Sequence, residues 1–304
     1  METPRFETIL VPIDFSETSA HALRLAASMA EHCRGGHLVA MYANWFEAPP
    51  YFTSGRLDEL REEFRESLSS AENSLKLFAG STLGASNGVQ VRALEALPAD
   101  GIRELALLKK PDLIVMGTHG RSGWNRWMLG SVAERVVRES PFPVLTVRST
   151  PPASIRRVLC PVHDTELSRR ALKMAVRIGA CFKANLTVLH VVEPSGSNPV
   201  SDLGSWIPTG QRGQCSVRDL VRHGDASEEI VRLANEEQFD LIVLGAPQRR
   251  FFEGMVLGTT AVRTVRHAHC PVLTVKAGDS ESLSVRLETG ADSTKLSPEH
   301  AGQM

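Results

Sequence analysis

The strongest constraint on this chain is that it repeats itself, because a duplicated unit must solve the same folding problem twice. Leu113-Ile-Val-Met-Gly117 returns 128 positions later as Leu241-Ile-Val-Leu-Gly245. At the same offset Leu129-Gly130-Ser131 matches Leu257-Gly258-Thr259, and Pro143-Val-Leu-Thr-Val147 recurs unchanged as Pro271-Val-Leu-Thr-Val275. Aligned without a gap, 98–147 and 226–275 share 20 of 50 residues. The starts match as well, Ile9-Leu-Val-Pro12 against Val158-Leu-Cys-Pro161, at an offset of 149. The fall from 149 to 128 leaves the first copy about 21 residues longer in its middle. The copies divide at Ser149-Thr-Pro-Pro-Ala-Ser154, where two prolines stop any regular element. The expected organisation is a first unit over 1–150, a second over 151–278, and a polar, aperiodic tail over 279–304 read as disordered.

Within the first copy, apolar runs alternate with helical patterns. Thr8–Ile13, His37–Ala43, Val89–Arg92, Leu113–Met116 and Val144–Val147 read as strands. Helical spacing of apolar residues runs through Thr18–Cys33, Leu57–Phe78, Pro98–Lys109 and Ser131–Glu139. The almost wholly apolar Leu113-Ile-Val-Met116 suits a parallel strand covered on both faces. Five strands alternating with helices predict an open parallel α/β sheet in each copy, Rossmann-like, with the copies related by a pseudo-twofold axis. In the second copy Pro194–Gln214 is rich in Gly, Ser and Pro, so a loop replaces the long amphipathic helix.

Composition narrows the function classes. Thirty-four basic against 35 acidic residues give a formal charge of −1, which removes the global electrostatic argument for nucleic acid or an anionic membrane as partner. Aromatics at 6% argue against base-stacking platforms. Five scattered cysteines with no C-x-x-C pair predict neither a zinc site nor a disulfide framework. Neither a signal peptide nor a membrane span is visible, and the expected compartment is a reducing cytoplasm. His267-x-His269-Cys270 lacks a nearby fourth ligand, so a metal is not expected there.

In an open parallel sheet the ligand crevice opens at the carboxyl ends of the strands where strand order reverses. With the first strand central, that crevice lies between Pro12-Ile13-Asp14 and Gly117-Thr-His-Gly120. Nine residues follow, then Gly130-Ser131 opens a helix. Glycines without Cβ allow backbone N–H groups to approach phosphate oxygens, and a helix N-terminus adds orphan amides and the positive dipole end. Plainer roles stand beside these: Asp14 as a cap of the first helix, Gly117 and Gly120 as a tight turn, His119 as a loop residue and not a base. Trp124 and Trp127 either shield a ligand or pack on the other copy.

Ile9-Leu-Val-Pro-Ile-Asp-Phe-Ser16, with Met116-Gly-Thr-His-Gly-Arg-Ser-Gly and Leu-Gly-Ser-Val132, resembles the universal stress protein family in both copies. The resemblance implies tandem five-stranded domains, pairing through the last strands, and ATP or AMP in the crevice, with Mg²⁺ accompanying ATP. It places Pro12, Asp14 and Ala43 against adenine or the ribose edge, Gly117 by the ribose, and Gly120, Gly130, Ser131 and Val132 on phosphates, and counts Met116 among the nucleotide-binding residues. In the second copy Gln248 replaces the second glycine and His163 replaces the aspartate, with Asp164 moved to the other face. Weak or absent nucleotide binding is expected there, with Arg249 and Arg250 as alternative anion contacts. The expected function is an ATP-binding stress-response regulator with little or no catalysis, for there is no Walker lysine and no obvious general base. The alternatives are an interaction protein with vestigial sites, a slow or self-phosphorylating ATPase, and an ATP-dependent ligase or pyrophosphatase. The last lacks its expected Ser-Gly-Gly loop. A homodimer is the further assembly that an uncovered apolar face in the second copy would support.

Overall fold

A computed structural model describes residues 6–45, 54–84, 88–120, 129–194, 206, 215–246, 248–251, 254–257 and 259–276. In chain order the first half contains β1 (Thr8–Pro12), α1 (Glu17–His32), β2 (His37–Asn44), α2 (Ser54–Leu83), β3 (Val89–Glu95), α3 (Pro98–Lys109), β4 (Leu113–Gly117), α4 (Ser131–Glu139) and β5 (Val144–Val147). The second half contains β6 (Arg157–Val162), α5 (Glu166–Phe182), β7 (Asn185–Val192), β8 (Val217–His223), α6 (Ala226–Glu236) and β9 (Leu241–Gly245). It ends with β10 (Gln248–Phe251), β11 (Gly254–Leu257), α7 (Thr259–His267) and β12 (Val272–Val275).

Ten strands form one sheet in the order β3-β2-β1-β4-β5-β12-β9-β6-β7-β8. In this sheet pairing is parallel within each half and antiparallel only where β5 meets β12. Leu145 faces Leu273 there, and Val144 and Thr146 face Thr274 and Val272. Exchanging every residue for its copy in the other half reproduces the same set of pairs, the register a twofold axis requires. Side chains repeat the symmetry: Thr146 Oγ1 donates to the Val272 carbonyl at 3.1 Å and Thr274 Oγ1 to the Val144 carbonyl at 3.2 Å. At the opposite strand ends, Asp112 Oδ2 accepts from Glu7 and Thr8 N–H, while Asp240 Oδ2 accepts from Arg156 and Arg157 N–H.

The central strands are apolar on both faces because helices cover both, and β4 and β9 are buried along their length up to the terminal glycine. One core layer joins α1, α2 and α5 to the sheet through Leu23, Met29, Leu75, Leu172 and Val176. The other joins α3, α4, α6 and α7 through Ile102, Val137, Leu233 and Val265. Each layer contains residues of both halves, so the seam at β5 and β12 lies inside the core.

Two features depart from the sequence reading. Cys33 and Cys181 form a disulfide with Cα atoms 5.0 Å apart, although 148 residues separate them. The expectation that none of the scattered cysteines pairs is corrected here. The ends of α1 and α5 meet across the pseudo-twofold, where His32 also stacks on Phe182 with centroids 4.4 Å apart. Second, β10 and β11 form an antiparallel hairpin that the sequence reading did not include. The tail after residue 278, residues 121–128 with Trp124 and Trp127, and nearly all of 194–214 lie outside the described residues.

Candidate functional site

β1 lies between β2 and β4, so the strand order reverses at its carboxyl end and the connections leave to opposite faces. A cleft of about 230 Å³ opens at that point. Its walls include Pro12 and Asp14 from the end of β1, Ala43 from β2, Met116 and Gly117 from β4, and Gly120, Gly130, Ser131 and Val132 around the start of α4. All nine residues singled out in the sequence therefore border one space. Ile13, Met41, Tyr42, Pro98 and Ile102 complete an apolar wall that the motifs did not announce.

The β1–α1 turn aims Asp14. Phe15 adopts φ +62, a left-handed conformation uncommon outside glycine. Its ring is held by Tyr42 at 5.3 Å and by Phe78 at 5.5 Å. With Phe15 turned into the α2 side, Asp14 reaches the cleft, and its Oδ1 accepts from Ser16 N at 3.1 Å and from Ser16 Oγ at 2.5 Å. Ser16 is also the N-cap of α1, accepting from Ser19 N at 3.2 Å. Capping of α1 thus belongs to Ser16, and Asp14 orients the capping serine.

The glycines permit close approach. A Cβ at Gly117 would lie 2.8 Å from Thr18 Oγ1, and one at Gly120 would lie 2.7 Å from Asp14 Oδ2. Gly130 N donates to the Thr118 carbonyl at 2.7 Å, which closes the loop onto the start of α4. α1, α5 and α6 carry side-chain caps from Ser16, Thr165 and Asp225. α4 begins at Gly130 with no side-chain cap, and its first residues border the cleft. Its first N–H groups are therefore available to an anion. No lysine or arginine is among the described cleft residues. An anion here would be met by backbone amides and the helix dipole.

The cleft pairs an apolar slot at the β2 side with glycine-lined amides at the α4 side, which suits a ligand with an apolar part and an anionic part. Asp14 is the one carboxylate among the described cleft residues. No group of three His, Cys, Asp or Glu suited to a metal occurs among the described residues.

The second half builds the same corner from different residues. Leu167 stands where Thr18 does, its Cγ 2.8 Å from the Cβ that Gly245 lacks. His163 N donates to Ser168 Oγ at 3.0 Å, and Asp164 pairs with Arg169 at 3.0 Å on the surface. Gln248 begins β10, which pairs Arg249 with Val256 and Arg250 with Met255 in backbone register. Thr18, Leu167 and Phe15 went unremarked in the motif, since their importance rests on what they touch across the crevice.

A duplicated, doubly wound α/β protein with a ligand crevice at the switch point of its first half is the class that this fold and site define. The chain belongs to the universal stress protein family, whose model matches residues 5–148 and again 154–276. It is 34% identical over 148 residues to a universal stress protein of Methanocaldococcus jannaschii, a match spanning 47% of this chain and 82% of that protein. A universal stress protein E homolog of Haemophilus influenzae is 24% identical over 305 residues, covering 90% of this chain and 98% of its own length. Among solved structures, a universal stress protein from Archaeoglobus fulgidus superposes with a TM-score of 0.67 at 22% identity. That match covers 89% of this chain and 98% of the other and supports the tandem fold.

Proposed function

We propose that this universal stress protein binds ATP or AMP in the cleft of its first half and acts as a regulatory nucleotide sensor, with little or no turnover. On this reading 1–150 is the binding unit and 151–278 a degenerate copy. The observation that carries the proposal is the convergence of Gly117, Gly120 and the uncapped first turn of α4 on one cleft beside an apolar slot. Pro12, Asp14 and Ala43 would frame the base and ribose edge, Met116 and Gly117 the ribose. Gly120, Gly130, Ser131 and Val132 would present amides and a hydroxyl to the phosphates. Asp14 is the one carboxylate in this set, and its Oδ1 is already engaged by Ser16, which favours holding over hydrolysis.

Calorimetric titration with ATP, with and without Mg²⁺, tests this on the wild type and Gly120→Gln, which copies Gln248 into the first half. One site per chain is expected, weakened at least tenfold by Gly120→Gln. That side chain must displace the Asp14 carboxylate, whose Oδ2 lies 2.7 Å from the new Cβ position. Absence of binding by the wild type would leave an interaction protein with vestigial sites. Two equal sites would restore the second half as a binding unit.

A further inference from the structure

Behind the cleft a hydroxyl fastens the residues after β4 to the first helix. Thr18, in the first turn of α1, donates from Oγ1 to the His119 carbonyl oxygen. Thr18 Oγ1 also lies 3.0 Å from Ser16 Oγ, which in turn donates to Asp14 Oδ1. A polar chain therefore runs from the Asp14 carboxylate through Ser16 and Thr18 to the His119–Gly120 peptide. Thr18 is not part of the cleft wall, whereas His119 and Gly120 are.

The consequence follows from peptide geometry. No cis peptide bond occurs among the described residues, so the His119 carbonyl and the Gly120 N–H point in opposite directions across one rigid plane. Fastening the carbonyl to Thr18, behind the loop, turns the Gly120 N–H toward the cleft. That N–H makes no hydrogen bond among the described residues. Glycine at 120 leaves the peptide free to rotate, and the same absence of Cβ that admits a ligand also costs the loop its rigidity. A hydrogen bond from outside the cleft supplies the restraint. In the second half the equivalent position is Leu167, which fills the space against Gly245 and has no hydroxyl to donate.

We infer that Thr18 is a positioning residue for an anionic ligand: its hydroxyl fixes the His119–Gly120 peptide so that the Gly120 amide is presented to a phosphate. This rests on the nucleotide reading of the cleft and adds a residue that works through the loop without touching the ligand. Preorganisation of one amide toward a charged oxygen is worth about one charge-assisted hydrogen bond, roughly a tenfold change in affinity or more.

The test compares wild type, Thr18→Val and Thr18→Ser. Valine keeps the branched shape and removes the hydroxyl, while serine keeps the hydroxyl. Calorimetry with ATP and with adenosine is expected to show Thr18→Val weakening ATP by roughly tenfold or more. Adenosine binding should stay within about twofold, and Thr18→Ser should bind ATP nearly as the wild type does. Equal losses for ATP and adenosine, or no loss for ATP, would overturn the inference. A ligand-free measurement separates it from the parent reading. The Gly120 amide resonance is expected to be single and sharp in wild type and Thr18→Ser, and broadened or doubled in Thr18→Val. Identical Gly120 resonances in all three proteins would overturn the claim that Thr18 holds the peptide, whatever the wild type binds. Failure of the wild type to bind ATP, with the resonances as expected, would remove the nucleotide and leave the fastened loop.

Discussion

At the residue scale, equivalent positions in the two halves differ most instructively just beyond the paired strands β5 and β12. Arg148 follows the first and Lys276 the second, and both side chains are drawn into the interior. Arg148 cannot shed its proton, and although burial lowers its pKa, its guanidinium donates to the Val265 carbonyl at 3.2 Å. Lys276 is 3% exposed, and its Nζ has no hydrogen-bond partner among the described residues. Loss of hydration pulls its pKa down to about 7. The unfolded chain holds that proton up to the ordinary lysine range, so between pH 7 and about 10 the unfolded state binds more protons and stability rises with pH. Lys276→Met is therefore expected to raise the thermal midpoint at pH 6, with a gain that shrinks toward pH 10. A gain of the same size at both pH values would mean that Lys276 is not desolvated. Neither this lysine nor Thr18 was legible in the sequence, because each matters through a neighbour from a distant segment. That Asp14, Gly117, Gly120, Gly130 and Ser131 border one crevice was legible because their spacing ties them to the ends of β1 and β4 and to the start of α4.

At the element scale, strands and helices followed from periodicity wherever a segment was long and covered on a defined face. The helix read over Leu57–Phe78 extends to Ser54–Leu83, and α1 begins one residue before the expected Thr18 because Ser16 caps it. The β10–β11 hairpin escaped notice for a physical reason. Its strands have four residues each, and the intervening Phe252-Glu253 lacks the Asn-Gly or Asp-Gly signature of a tight hairpin. α3 and α4 begin without a side-chain cap, whereas α5 has one. Thr165 Oγ1 accepts from Ser168 N at 3.1 Å and donates to Ser168 Oγ at 3.0 Å, closing the first turn of α5. Thr165→Ala is expected to cost about 1 kcal/mol in urea denaturation, without altering the ATP isotherm, since α5 belongs to the half whose motif has diverged. A change in ATP affinity comparable to that of Gly120→Gln would show that the halves do not divide function from scaffold.

At the scale of the whole molecule, the repeat predicted that the last strands would pair, and the register at Leu145 and Leu273 realises that pairing. The repeat could not predict what the symmetry brings together elsewhere. Cys33 and Cys181 end equivalent helices, yet they are not repeats of one another: the alignment that matches the strand starts sets Cys33 opposite Phe182 and His32 opposite Cys181. The twofold therefore crosses the pairs, giving one disulfide and one stacked His32–Phe182 contact at the same junction. A crosslink spanning 148 residues and joining the two halves restricts the unfolded ensemble strongly. On the chain-entropy argument it stabilises by about 5 kcal/mol at most. Because both core layers run through the seam, the halves are expected to melt in one transition, not two. Calorimetric scans of the oxidised protein, with and without a dithiol reductant, should show that single transition move to lower temperature on reduction. Cys33→Ser should melt where the reduced protein does and ignore the reductant. Coincident melting of oxidised and reduced wild type would mean that β5–β12 pairing and the shared core hold the halves together unaided. Two separated transitions would mean that the continuous sheet does not couple them.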